Sequence, residues 1–118
     1  MTPGPDADRV LLVHMRECVD RIHEYTGLER ARFDASRLVQ DAVIRNLQTF
    51  TESSQRLSAE IKATEPLIPW RDLSGFRNVI VHGHLGVDLE VIWQVIEQDL
   101  PALAIAVDRM KSRHATPG

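Results

Sequence analysis

Cysteine is almost missing from this chain of 118 residues. Cys18 stands alone, which excludes an internal disulfide and any zinc or redox motif built from cysteine pairs. An excess of positive charge is missing too. Fourteen Lys and Arg face seventeen Asp and Glu, for a net charge of −3 and a pI near 5.9. No global positive field is available to hold RNA through many phosphates, so any nucleic-acid site must be local. Nowhere do eighteen apolar residues follow one another, and the opening MTPGPDADR has no apolar run after a basic stretch. Neither a membrane span nor a signal peptide is expected, which together with the lone thiol fits a reducing cytoplasm. There is no Gly-rich phosphate loop and no aspartate pair of the kind a nucleotidyltransferase uses, so transfer of a nucleotide from ATP is not this chain's own chemistry. Strand alternation, hairpin signals, repeats and low-complexity tracts are absent as well.

What remains is a helical pattern. With 43% apolar and 26% charged residues the chain has an ordinary globular balance and length for one core. The pattern predicts a disordered stretch at 1–7, a single domain over 8–113 and a frayed end at 114–118. From Asp8, the residues Leu11, Met15, Cys18, Ile22 and Tyr25 step by four and three, with Leu12 and Val19 widening the stripe and Gly27 as its stop. A second stripe runs through Val39, Val43, Leu47, Phe50, Leu57 and Ile61 and ends before Pro66 and Pro69. The spacing predicts one long helix there, broken in its pattern only at Ser54, which needs a bundle partner and suits dimerisation. A short third helix is predicted from Asp72 or Leu73 to His82. Asp88 caps a fourth, whose inner face is Leu89, Ile92, Trp93, Ile96 and Leu100. Pro101 should break or kink it before Leu103, Val107 and Met110. The fold class expected is all-α, a four- to five-helix antiparallel bundle.

The chemistry concentrates on Arg77, Asn78 and His82 in the segment RNVIVHG. Arginine offers a permanently charged planar fork for phosphate oxygens, and histidine exchanges protons near neutrality, which is phosphate chemistry that needs no metal. As a bare spacing, Arg followed by four residues and His is uninformative, because it also occurs from Arg9 to His14 and from Arg109 to His114. Asn78 and His82 are four apart, hence about 40° around a helix and on one face. Arg77 is about 140° and roughly 7.5 Å from His82 on such a helix, a gap that a second subunit would close better than the arginine's own curling. Gly83 as a C-cap would leave His82 among exposed carbonyls that favour the imidazolium.

With IPW from Ile68, then Arg77 and Asn78, then His82 and Gly83, then Val87 and Asp88, Trp93 and DLP from Asp99, the chain resembles the HepT-like branch of the HEPN superfamily. AVIRNL from Ala42 resembles it too. The resemblance spans the chain from its first helix to Leu103. It implies a dimerising all-α bundle that brings two Arg-Asn-x-x-x-His helices together across a two-fold axis and cleaves RNA, not DNA, without a metal or other cofactor. The catalytic residues implied are Arg77, His82 and Asn78, with Arg71 and His84 on the substrate side. HepT-like proteins are toxins of toxin–antitoxin pairs, of the type VII kind, whose usual antitoxin is a minimal nucleotidyltransferase. In some members that partner transfers AMP to a tyrosine of the toxin. The corresponding position here is His84, which has no phenol hydroxyl, and the one tyrosine, Tyr25, belongs to the first helix's apolar stripe. Occlusion by the antitoxin, or modification elsewhere, therefore gains ground over tyrosine AMPylation.

Plainer assignments compete at each position. Arg77 also reads as a surface arginine bridging to Asp72 or Asp88, and His82 as a C-cap. His82 and His84 make His-Gly-His, yet zinc needs three or four ligands and the sequence marks no third. Trp70 and Trp93 suit the core better than base stacking. Arg71 fits the rim as well as a phosphate contact. Arg109, Lys111 and Arg113 read as a solvated helix end complementing its dipole, and Glu52 as a solvated residue rather than an acidic partner of the site. Beside the ribonuclease stands a second functional class, a non-catalytic helical module that binds nucleotides or scaffolds a nucleotidyltransferase.

Overall fold

A computed structural model describes residues 5–73 and 88–115 of the chain. Helix α1 spans Pro5–Thr26. It begins inside the stretch expected to be disordered, on a proline whose missing N–H costs nothing at a helix start. Its stripe is buried as the spacing predicts, with Leu12, Val19 and Ile22 fully enclosed. It ends where Gly27 and Leu28 both take φ near +60°, a conformation glycine adopts freely and leucine does not. Thr26 closes the end, its hydroxyl donating to the Ile22 carbonyl (2.8 Å) and accepting from the Leu28 N–H (3.2 Å).

Helix α2, Arg30–Ala35, has no counterpart in the sequence reading; one buried residue, Phe33, holds it to the core. Ser36 separates it from α3, Arg37–Arg56, and caps the new helix by accepting from the Val39 N–H (3.1 Å). The single long helix expected from Val39 to Ile61 is corrected here. α3 stops at Arg56, Leu57 turns extended, and Ser58 caps a separate helix α4, Ala59–Ala63. The cause is a long-range contact. Asp8 of α1, only 2% exposed, accepts from both the backbone N–H (2.9 Å) and the hydroxyl (2.7 Å) of Ser58. Leu57 and Ile61 stay buried on either side of the break, so the periodicity continues while the helix does not.

After α4 the chain turns through Pro66 and Pro69 into a helical turn at 70–73. Helix α5, Leu89–Gln94, starts as predicted at Asp88, whose carboxylate accepts from the Glu90 N–H (2.9 Å). The expected break at Pro101 takes another form. A π-helical turn, Val95–Asp99, joins α5 to α6, Leu100–Ala115, and the Leu100 N–H reaches back to the Val95 carbonyl. Proline lacks the N–H for an ordinary helical bond and its ring crowds the carbonyl four residues earlier; the wider turn just before Pro101 relieves both.

α1 packs chiefly on α3 and α6. The Asp8–Ser58 contact sets the start of α1 beside the end of α3, and an Arg16–Asp108 ion pair (3.5 Å), with a shallow pocket that Arg9 and Val13 line together with Asp108 and Ser112, sets it beside the later part of α6. α1 is therefore antiparallel to both, which makes α3 and α6 parallel neighbours around it. The core they share includes Met15, Leu47, Phe50, Ile96, Leu100 and Met110. The described residues are all-α and contain no strand, as expected. Among the described residues the short α2 and α4 are helices the periodicity did not predict, while the third helix expected from Asp72 or Leu73 to His82 lies, past Leu73, outside the described residues.

Candidate functional site

Arg77, Asn78, His82 and His84, the residues on which sequence chemistry converges, lie outside the described residues, as does Gly83. Arg71 sits exposed in the helical turn at 70–73. What the structure builds is the frame on either side, from Leu73 backward and from Asp88 forward.

On the near side the dominant group is Glu65, 5% exposed. Its carboxylate accepts from the Arg109 guanidinium through Nε (3.2 Å to each oxygen) and Nη2, and from Arg113 Nη1 (2.7 Å). Arg113 also donates to the Thr64 hydroxyl (3.0 Å). The Arg109 hydrogen bonds, reinforced by Arg113 and opposed by burial, hold the Glu65 carboxyl down at about 2, and the same bonds raise the Arg109 guanidinium above its ordinary value. Glu65 ties onward as well. Its backbone carbonyl accepts from the Ile68 N–H (3.2 Å) and from the Trp70 indole N–H (3.2 Å), which is shared with the Lys62 carbonyl (3.2 Å). The helical turn that follows is closed by the Asp72 and Leu73 N–H groups donating to the Pro69 carbonyl (3.0 and 3.1 Å).

On the far side, Asp88 caps α5 and Glu90 receives both terminal nitrogens of Arg30, which also donates through Nε to Asp34 (3.3 Å). Hydrogen bonding to Glu90 raises the Arg30 guanidinium further. The pair spans sixty positions of sequence and fastens α2 to the start of α5. Beneath it the Trp93 ring packs on Phe33 with centroids 5.6 Å apart and a 35° tilt.

A groove of about 380 Å³ lies between the 67–73 stretch and the π-helical turn with the start of α6, lined by Leu67, Ile68, Leu73, Val95 and Leu103 with Asp72 and Asp99 among them. Its carboxylates make it a poor bed for a phosphate backbone.

Several sequence-level assignments can now be placed. Trp93, 4% exposed, belongs to the core, and Trp70 is half-buried with its N–H committed, so the core assignment of both tryptophans agrees with their surroundings. Glu52 lies on an exposed position of α3. The basic cluster Arg109, Lys111, Arg113 is corrected: two of its members hold a buried carboxylate, which also removes Arg109 from any reading of the Arg109-to-His114 spacing. Glu65 itself was missed. The available signal was weak: an acid between the apolar positions Ile61 and Leu67, together with two arginines four apart on one helix face. Arg30 with Glu90 had no local signal. Burial raises the Cys18 thiol, which is a packed core residue. Among the described residues no three His, Cys, Asp or Glu side chains gather as a metal site, and no helix is long and apolar enough to cross a membrane.

Fold and frame together define a small all-α bundle with ion-paired anchors at Glu65 and Glu90, which in sequence stand on either side of the Arg-Asn-x-x-x-His motif. The chain belongs to the ribonuclease HepT-like family, whose profile matches residues 15–110. It is similar to a protein of Thermococcus cleftensis named probable ribonuclease HepT, 30% identical over 101 residues, which covers 85% of this chain and 92% of that one. A Methanocaldococcus jannaschii protein, whose name joins gamma-glutamylcyclotransferase to a proposed RNase, is 32% identical over 96 residues, or 80% of this chain. The chain spans 43% of that relative's length. A Caldanaerobacter subterraneus protein, named as a proposed RNase, is 26% identical over 102 residues, 86% of this chain and 88% of its own. No solved structure matches.

Proposed function

We propose that this chain is an endoribonuclease that cuts RNA without a metal, as the toxin of a type VII-like toxin–antitoxin pair in the cytoplasm. The observation that carries this reading is the family match over residues 15–110, a range in which the sequence carries Arg77, Asn78 and His82 in the Arg-Asn-x-x-x-His order that the resemblance implies. The active form is a homodimer in which two copies of the segment share one cleft.

The reaction is transesterification by the RNA's own 2′-hydroxyl. His82 of one protomer takes the hydroxyl proton as the 2′-oxygen bonds to phosphorus. The bond to the 5′-oxygen breaks, and that oxygen receives a proton from His82 of the partner subunit or from water. Products are a 2′,3′-cyclic phosphate and a free 5′-hydroxyl. Arg77 stabilises the charge that builds on the phosphorane-like transition state, and Asn78 orients the imidazole or touches the phosphate. Arg71 and His84 lie on the substrate side. DNA, lacking the 2′-hydroxyl, is not cut.

General acid–base assistance contributes typically 10²–10⁴-fold, and aimed donors a comparable factor, so His82→Ala and Arg77→Ala should each nearly abolish cleavage while Asn78→Ala does less. Cleavage should persist in EDTA; loss of activity in EDTA that added Mg²⁺ restores would contradict a metal-free mechanism. The partner proposed is a minimal nucleotidyltransferase antitoxin that neutralises the toxin by covering its cleft. Incubating the two with ATP and weighing the toxin by mass spectrometry tests this, since an AMP adduct on His84 or Tyr25 would replace occlusion with modification.

A further inference from the structure

We infer that Glu65 is a positioning residue for the proposed cleavage, the joint through which α6 sets the helical turn at 70–73 that leads into the Arg77 segment. The inference rests on the ribonuclease reading for its consequence but on described geometry for its substance.

Three observations carry it. Glu65 is the one charged residue besides Asp8 that the described core encloses, and both of its oxygens are taken by side chains of α6. Its own carbonyl accepts from the Trp70 indole and the Ile68 N–H, so displacement of Glu65 is passed directly to the residues that open the next helical turn. Leu73 closes that turn, and Arg77 follows four positions later in sequence.

An ion pair exposed on both sides would not do this, because such pairs flex and are screened, whereas these two half-exposed guanidinium groups hold a buried carboxylate. Here the planar arginine fork meets the carboxylate from a fixed helix, which confers direction as well as attraction. Removing the charge should loosen the turn's angle without removing any group that touches RNA. Catalysis is sensitive to such loosening, since small misplacements of reacting groups are costly in rate.

The test compares Glu65→Gln with wild type well below the melting temperature of either. Positioning predicts a kcat reduced about tenfold or more, a KM within about twofold and an unchanged pH profile, because His82 and Arg77 are both present. It also predicts that the His82 ring proton resonance, identified by its loss in His82→Ala, moves in Glu65→Gln while those of His14 and His23 stay. If Glu65→Gln does not fold, Arg109→Lys, which keeps the charge and loses the fork, is read the same way. A lower melting temperature with kcat and the His82 resonance unchanged would overturn the inference, leaving Glu65 as a stabilising ion pair. Absence of RNA cleavage by wild type would instead overturn the ribonuclease reading, and the His82 resonance would then decide the role of Glu65.

Discussion

Individual residues divide here into those whose role is local and those whose role is set by a distant partner. Leu12, Val19, Ile22, Val43, Leu47 and Phe50 were legible because helical periodicity alone assigns their face, and they are buried. Phe33 was not, since a six-residue helix is too short to show a period. It is fully enclosed against Trp93, so Phe33→Ala should cost about 3–5 kcal/mol in urea-induced unfolding. A cost under about 1 kcal/mol would show that α2 is not part of the cooperative core. Glu65 was illegible for another reason: its partners are 44 and 48 positions away. Its carboxyl titrates near 2 in the folded protein against an ordinary value of 4.5. A depressed carboxyl pKa stabilises the fold above the ordinary value and loses that contribution as pH falls toward the folded one. The melting-temperature gap between wild type and Glu65→Gln should therefore be full at pH 6 and shrink from about pH 4.5 down to pH 2. A gap constant over that range would contradict the ion-paired state.

Among the elements, the caps decide where helices begin, and they were only partly readable. Asp88 was recognised because an acid precedes an apolar period and Glu90 follows it in the first turn. Ser58 was passed over because apolar periodicity runs straight through it, from Leu57 to Ile61. The two caps should differ in strength. Asp88 is exposed, so Asp88→Ala should cost about 1 kcal/mol, the usual worth of an N-cap. Ser58→Ala should cost more, since it also strips a hydrogen bond from Asp8, a buried carboxylate. Equal effects in chemical denaturation would mean that Asp8 finds another partner. Pro101 shows the same limit from the other direction: its local rule predicts an interruption, and the chain meets that rule with a π-helical turn through which α5 runs into α6 without a non-helical residue between them.

Across the whole molecule, the helical class and the single core followed from composition and period, whereas the arrangement followed from contacts no period encodes. Asp8 with Ser58 and Arg16 with Asp108 orient α1 against α3 and α6, and Arg30 with Glu90 fastens α2 beside the start of α5. The candidate site was legible only as chemistry. Arg77, Asn78 and His82 are singled out from three equivalent Arg–His spacings by their neighbours and stand as a proposal, since they lie outside the described residues. Their frame, the Glu65 and Arg30 anchors, became apparent only in three dimensions. The net charge of −3 bears on function at this scale, because a chain without a global positive field must engage RNA through a local cluster of cations. Incubating total cellular RNA with wild type and with His82→Ala, in EDTA, and mapping the new ends tests the central claim most directly. The account predicts discrete cuts bearing 2′,3′-cyclic phosphate with wild type and none with the variant; cuts that survive the substitution, or ends bearing 3′-hydroxyl, would contradict it.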